Sequence, residues 1–419
     1  MAKLKAKAKA KVAKQGAQAK PKKARAKAKA TRVIIQRPSV SCSTTTTMTP
    51  PPALQCQDSN NVDYKTIGCI ERPLLPKNPW RGSMQITYAS DCSGLDAGAM
   101  ALQNLCVPFQ HLWASEVDRH YMNILKATHP DVEMYFGDVS ERCDESLEPY
   151  TERTTIYTSG FPCTAFSAAG NQMGIRDPSV GMLSFYVVLA ICKVLPDMFI
   201  LENVPEFATS PKNAKHFDLT LRMLRTAGQS IYNIYWKVVN SKDHGVPAQR
   251  RRLYIIGLRR DKAHGKWAWP SAEPEVGLQS IFDPSISADK HQKDMNILRP
   301  YALANLAQGL EMINREPSQT GPWVIDIGVS KSRQGKPTCN TMPTITRRRA
   351  QKREYFIVDR GLISESELMR CQGFDPNRIV VPEGTNRERM CEMVGNAMTV
   401  TVMQRLIRNG LRALNRLAQ

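Results

Sequence analysis

The sequence predicts an α/β fold in which a largely parallel sheet is covered by helices on both faces. Three observations lead there. Short apolar runs recur at residues 86–89, 111–114, 155–158, 198–201, 232–239 and 253–258. Segments of helical length separate them, and that alternation builds parallel sheets. The 419 residues are 42% hydrophobic, enough to bury a sizeable core, and the length suits about two to three domains.

The start of the chain differs in kind. Residues 1–37 hold 14 Lys or Arg and no acid precedes Asp58, so this tract supplies most of the net charge of +20 and leaves +6 for the remainder. Residues 1–40 are expected to form a disordered basic tail that contacts nucleic acid, with residues 41–83 as its linker. The eleven cysteines are odd in number and contain no Cys-x-x-Cys pair, which argues for a reducing compartment and against a disulfide framework or a metal site. The apolar stretch 185–201 is broken by Lys193, Pro196 and Asp197. It reads as a buried helix running into a strand, not as a membrane span.

Taken in order, the strand ends carry the chemistry, because ligands of such sheets bind beyond the carboxyl ends of strands. The first run leads into Ser90-Asp91-Cys92-Ser93-Gly94-Leu95-Asp96-Ala97-Gly98, a Gly-bearing turn that lets a cofactor approach the backbone. The second ends at Glu116, placed to accept ribose hydroxyls. A third ends in Phe136-Gly137-Asp138-Val139, where an acid can accept an adenine amino group. Each acid alone is more often a loop cap, but the three together point to an adenosine cofactor. The fourth run leads into Gly160-Phe161-Pro162-Cys163-Thr164-Ala165-Phe166-Ser167. A lone cysteine is usually a small buried apolar residue, yet Glu202-Asn203-Val204 ends the next strand and Arg250-Arg251-Arg252 opens the last. From Lys262 to about Ser330 the rhythm fails, which suggests a smaller inserted domain.

These segments, with Arg360 to Asp375 and Val394 to Val400, follow one order over nearly all of residues 84–419. The chain resembles the cytosine-5 DNA methyltransferase family. The resemblance implies the Rossmann-like sheet of a class I methyltransferase, with catalytic residues 84–261, a target-recognition region over 262–385 and a C-terminal segment, 386–419, returning to the catalytic domain. Within it, Met393 to Leu414 should pack against the first strand. The implied cofactor is S-adenosyl-L-methionine and the implied partner is duplex DNA with a flipped cytosine; no membrane partner and no metal are expected.

By the same resemblance Cys163 attacks carbon 6, Glu202 meets N3 and the exocyclic amine, Arg252 contacts O2 and Arg250 positions the catalytic loop. Gly94 and Leu95 line the cofactor, Glu116 binds its ribose, and Asp138 with Val139 binds its adenine. Pro162 lies beside the methionine moiety, which Asn396 and Met398 close off. The Arg360 to Asp375 segment supports the target-recognition region. The chain departs from the family pattern at Cys92, Asp96, Ala97 and Ala248, and Asp91 stands one place after the position expected for an acid. The basic run Arg347 to Arg353 is expected to hold phosphates rather than read bases. The tail suggests a nucleus; a bacterial cytoplasm or a virus is the alternative. An RNA cytosine-5 methyltransferase and a catalytically silent nucleic-acid binding relative are the competing functions.

Overall fold

The computed structural model describes residues 85–162, 182–287, 289–316, 318–329 and 336–417. The basic tail, its linker and Cys163 lie outside them.

Seven strands form the main sheet: β1 (Ile86–Asp91), β2 (Phe109–Ser115), β3 (Met134–Phe136), β4 (Ile156–Ser159), β5 (Met198–Asn203), β6 (Tyr232–Asn240) and β7 (Arg251–Arg259). Their order is β3-β2-β1-β4-β5-β7-β6. The first five are parallel, whereas β7 runs antiparallel to both β5 and β6. β6 and β7 are joined by a short link without a crossover helix, so the chain must reverse between them. Five of the six apolar runs fall within strands, and the sixth, 155–158, enters β4 at Ile156. β4 and β5 are buried along their whole length, which is why they read as continuous apolar segments.

Alternate side chains of each strand feed two cores. Tyr88, Met198 and Ile200 point into one; Ala89, Phe199 and Leu201 point into the other. The second core is closed by α3 (Leu183–Val194), α4 (Glu206–Thr209) and α5 (Ala214–Ser230). The first includes α1 (Ala97–Asn104), and α2 (Arg119–Thr128) contributes Tyr121 and Ile124 to it. Gly257 of β7 sits against Phe199: a Cβ there would lie 2.1 Å from the ring carbons. Phe199 is fully buried and cannot swing away. Gly257→Ala is expected to destabilise the fold by about 1–3 kcal/mol through overpacking. Urea unfolding should show a lower midpoint at the same slope; an unchanged midpoint would mean that the ring has room to move.

A second, antiparallel sheet joins β8 (Trp323–Asp326), β9 (Thr338–Cys339), β10 (Tyr355–Ile357) and β11 (Gly361–Leu362) in the order β11-β10-β8-β9. α6 (Lys290–Ile297) and α7 (Pro300–Asn314) precede it. Ile325 and Phe356 pack with Ala302 and Leu306 of α7, while Val324, Tyr355 and Ile357 face the main core. Leu278, Ile281, Ile345 and Leu368 also join that main core. The stretch 262–385 therefore contributes to both.

α8 (Arg347–Lys352), α9 (Glu365–Cys371), α10 (Arg387–Asn396) and α11 (Val400–Ala413) complete the chain. α11 packs chiefly on α1, the helix that follows the first strand, and its Gly410 meets Met198 of β5. Among the described residues no helix is long and apolar enough to cross a membrane.

Candidate active site at the carboxyl edge of the sheet

The chain winds outward from β1 through β2 to β3, then returns to β4 on the other side of β1. This reversal leaves a crevice between the ends of β1 and β4, where Asp91 lies opposite Ser159. The turns after these two strands are the ones that sequence reasoning marked.

In the turn after β1, Cys92, Gly94 and Asp96 all adopt left-handed conformations. Gly94 donates its N–H to Glu116 Oε2 at 3.0 Å, and Asp118 N–H reaches Glu116 Oε1 at 3.0 Å. Glu116 thus clamps the turn. Burial pushes its carboxyl above the usual range, against the pull of those hydrogen bonds. No heavy atom lies within 4 Å of a Cβ built on Gly94 or Gly137. Two open backbone approaches therefore flank Glu116, as an adenosine-bearing ligand requires.

Asp91 is fully buried. Its oxygens accept both Arg142 guanidinium nitrogens at 2.7 Å, together with Trp113 Nε1, Ser115 Oγ and Tyr157 Oη. Burial raises its pKa, but the Arg142 charge and these hydrogen bonds outweigh it, and the net direction is down. Asp91 is a structural anchor under the turn, with no carboxylate oxygen left over. Asp96 is the N-cap of α1, accepting from Ala99 N–H, and it also takes the hydroxyls of Tyr88 and Ser90. Asp138 caps its own loop through Ser140 N–H at 2.8 Å and Ser140 Oγ at 2.7 Å, both on Oδ1. Val139 beside it is buried, as is Leu95.

Beyond β4 the chain passes Gly160 and the buried Phe161 to Pro162, the last described residue before Cys163. A Cβ on Gly160 would stand 3.4 Å from Met398 Cγ and 3.6 Å from Glu202 Oε2. Three separated segments meet there. Glu202 is buried, and Arg252 Nε lies 3.1 Å from its Oε1. That oxygen has no aligned hydrogen bond among the described residues, so the contact is an ion pair. Burial pushes the Glu202 carboxyl up, despite the opposing charges of Arg252 and Arg250.

Arg250 does something the sequence did not indicate. Its guanidinium donates to the carbonyls of Ile345 at 2.7 Å, Gly395 at 3.1 Å and Ala397 at 3.0 Å, and reaches Asn396 O at 3.4 Å. It caps the carboxyl end of α10, where helix carbonyls lack partners and carry partial negative charge. The turn bearing Asn396 and Met398 is thereby fixed to the sheet. Asn396 is exposed, whereas Met398 is buried.

Three more supporting residues were missed. Asn203 Nδ2 donates to Phe161 O at 3.2 Å and ties the end of β5 to the loop entering Cys163. Its place after Glu202 was the available signal. Arg142 anchors Asp91 and had none. Gln372, fully buried, accepts Thr399 Oγ1 at 2.8 Å and takes Val400 N–H on its carbonyl at 2.9 Å. The Arg360 to Asp375 segment thus also braces the C-terminal turn, while Arg360 and Arg370 hold the Ile281 to Asp283 stretch.

The basic run corrects an expectation. Arg347 pairs with Glu392, Arg349 with Asp326 and Lys352 with Glu388. Only Arg348 and Arg353 of this run lack an acidic partner among the described residues, because the others brace α8 to its neighbours. Among the described residues no cluster of three or more His, Cys, Asp or Glu could hold a metal ion.

Comparison with known proteins places this geometry. The profile of C-5 cytosine-specific DNA methylases matches residues 86–411. The type II methyltransferase M.NlaIV of Neisseria lactamica is 30% identical over 232 residues, which is 53% of this chain and 52% of that protein. The chain spans about half the length of the Neisseria relatives with which it shares 30% identity. M.HhaI of Haemophilus parahaemolyticus is 26% identical over 297 residues, covering 68% of this chain and 85% of that one. In fold, the solved Entamoeba histolytica methyltransferase EhMeth superposes with a TM-score of 0.55 at 14% identity, covering 79% of this chain and 99% of its own. Curated relatives such as these are bacterial or phage proteins, which agrees with the bacterial or viral setting and lends the nucleus no support. The chain belongs to the C-5 cytosine-specific DNA methylase family.

Proposed function

We propose that this protein is a DNA (cytosine-5-)-methyltransferase that methylates carbon 5 of a cytosine flipped out of duplex DNA. The observation that carries this reading is the meeting of Gly160, Glu202 and Met398 directly before Cys163, with Arg252 paired to Glu202. Members of the family draw their methyl group from S-adenosylmethionine, which supplies the electrophilic carbon. The residues present suit that cofactor. Gly94 and Leu95 would line it, and Glu116 would accept its ribose hydroxyls on lone pairs that its two backbone hydrogen bonds leave open. The Asp138 oxygen not used by Ser140 would accept the adenine amine beside Val139. Pro162, Asn396 and Met398 would enclose the methionine end. Glu116→Ala should weaken cofactor binding by roughly 10- to 100-fold, about 1.4–2.8 kcal/mol, with the loss in KM for the cofactor more than in kcat. Titration calorimetry checks it; equal cofactor affinity would remove Glu116 from the site.

Carbon 5 of cytosine is a poor nucleophile, so covalent addition must activate it. The Cys163 thiolate bonds to carbon 6, Glu202 gives its proton to N3, and the displaced electron pair makes carbon 5 an enamine carbon. Arg252 steadies O2. After methylation a base takes the proton from carbon 5, the carbon–sulfur bond breaks, and N3 returns its proton to Glu202. Extrusion of the base is required because no side chain can reach carbon 6 inside the stack. Residues 84–261 and 386–419 would form the catalytic part, 262–385 would recognise the target, and the tail 1–40 would hold DNA, in a bacterial or viral setting.

Duplex DNA carrying 5-fluorocytosine tests this reading, since fluorine cannot leave as the proton does and the adduct persists. A denaturation-resistant complex that forms on DNA and requires the cofactor is expected. A complex formed on RNA alone would favour RNA methylation, and no complex on either would identify a binding relative.

A further inference from the structure

Helix α11 carries Arg405, Arg408 and Arg412, three and four residues apart and so on one face. Like charges at that spacing disfavour the helix by about 0.2–0.5 kcal/mol per pair. Residues 264–273 run beside this helix: His264 and Gly265 N–H donate to Ala413 O, Asn409 Nδ2 donates to Ala268 O, and Arg405 pairs with Glu273 at 3.2 Å. Exposed Lys266 lies between two of these ties and adds a fourth positive charge. Glu273 is the acid paired to the stripe, and it is already bound to Arg405.

Arg412 in the last turn has an ordinary explanation, complementing the helix dipole. Arg408 does not. It is half-buried, its Nε is shielded from solvent, and it has no hydrogen-bond acceptor or acid partner among the described residues. Burial and the guanidiniums of Arg412 and Arg405 push its pKa down, with only Glu273 opposing. On the adjoining segment the Trp267 indole N–H is likewise buried without an acceptor. A buried donor left unpaired costs about 1–3 kcal/mol. Helix-dipole compensation at the last turn cannot offset that cost one turn earlier.

We propose that the Arg405–Arg408–Arg412 stripe of α11, with Lys266, is a second nucleic-acid contact that binds the sugar–phosphate backbone away from the catalytic crevice. Seven residues of helix span about 10 Å, the axial length of about three phosphates on one strand. Arg408 lies eight positions beyond Val400, the first residue of α11, about 12 Å along the helix. Gly410 of the same helix meets Met198 at the start of β5, the end opposite Glu202, so the stripe binds DNA outside the crevice without touching the reacting base. This rests on the reading that DNA is the substrate.

The full chain and its R408Q/R412Q and R412Q variants would be titrated with a long duplex at several salt concentrations, alongside single-turnover methylation at saturating duplex. Each lost phosphate contact should flatten the slope of log affinity against log salt by about 0.9. The double variant is expected to lose about 1–2 in slope, R412Q about 1 at most, with the single-turnover rate unchanged. Identical slopes for all three proteins would overturn the proposal. R412Q, exposed and outside the core, keeps the test valid if the double variant folds poorly. Lost binding to poly-glutamate with an unchanged DNA slope would instead assign the stripe to an acidic polypeptide and also overturn it. Failure of the unaltered protein to bind DNA at all would reject the substrate reading.

Discussion

Replacing Cys163 by serine is expected to lower methyl transfer roughly a thousandfold or more while DNA and cofactor binding persist. A serine hydroxyl is nearly isosteric with the thiol but ionises far less readily, and the attacking species at carbon 6 must be the anion. Among the described residues, the contacts that hold the site do not use the sulfur. Asn203 grips Phe161 O, Gly160 packs on Met398, and Glu116 clamps the cofactor turn. The variant should therefore bind duplex and cofactor as before and fail in single turnover. It should also give no denaturation-resistant complex with 5-fluorocytosine DNA. Methylation at the normal rate would place the nucleophile elsewhere, and lost DNA binding with a lowered unfolding midpoint would mean that Cys163 supports the fold.

Strands buried on both faces were legible because burial on both sides leaves no polar positions to break an apolar run. β3 has only three residues, none of them buried, and was visible only through the Gly137-Asp138 that follows it. The acids at strand ends were legible as residue types; their division of labour was not. Asp91 and Asp96 look equally available in sequence, yet one is locked by Arg142, 51 positions away, and the other caps α1. Arg250 shows the same limit: its acceptors lie 95 to 147 residues further on. The basic run 347–353 looked free because its partners Asp326, Glu388 and Glu392 are 23 to 45 positions off. Periodicity reports burial within an element, while charge pairing is fixed only when the elements meet.

Glu202→Gln is expected to slow methyl transfer by about 10²–10⁴, the usual range for a removed general acid. The carboxyl is buried and its pKa raised, so it keeps its proton at a higher pH than an exposed glutamate. The form that can protonate N3 is depleted as pH rises through that raised value. The ratio of unaltered to variant rate should therefore fall as pH rises, since glutamine has no proton to lose. The same linkage acts on stability. A carboxyl whose folded pKa lies above its unfolded one favours folding below the unfolded value, and that contribution is lost as pH rises through the folded value. Glutamine removes this dependence but leaves Arg252 without its partner in a site where its side chain is 16% exposed, so some loss of stability at neutral pH should accompany the rate effect. Single-turnover rates and urea midpoints measured across pH separate the two. A rate ratio that stays constant with pH would show that the Glu202 proton is not the one delivered to N3, leaving the carboxylate as only a brace for Arg252.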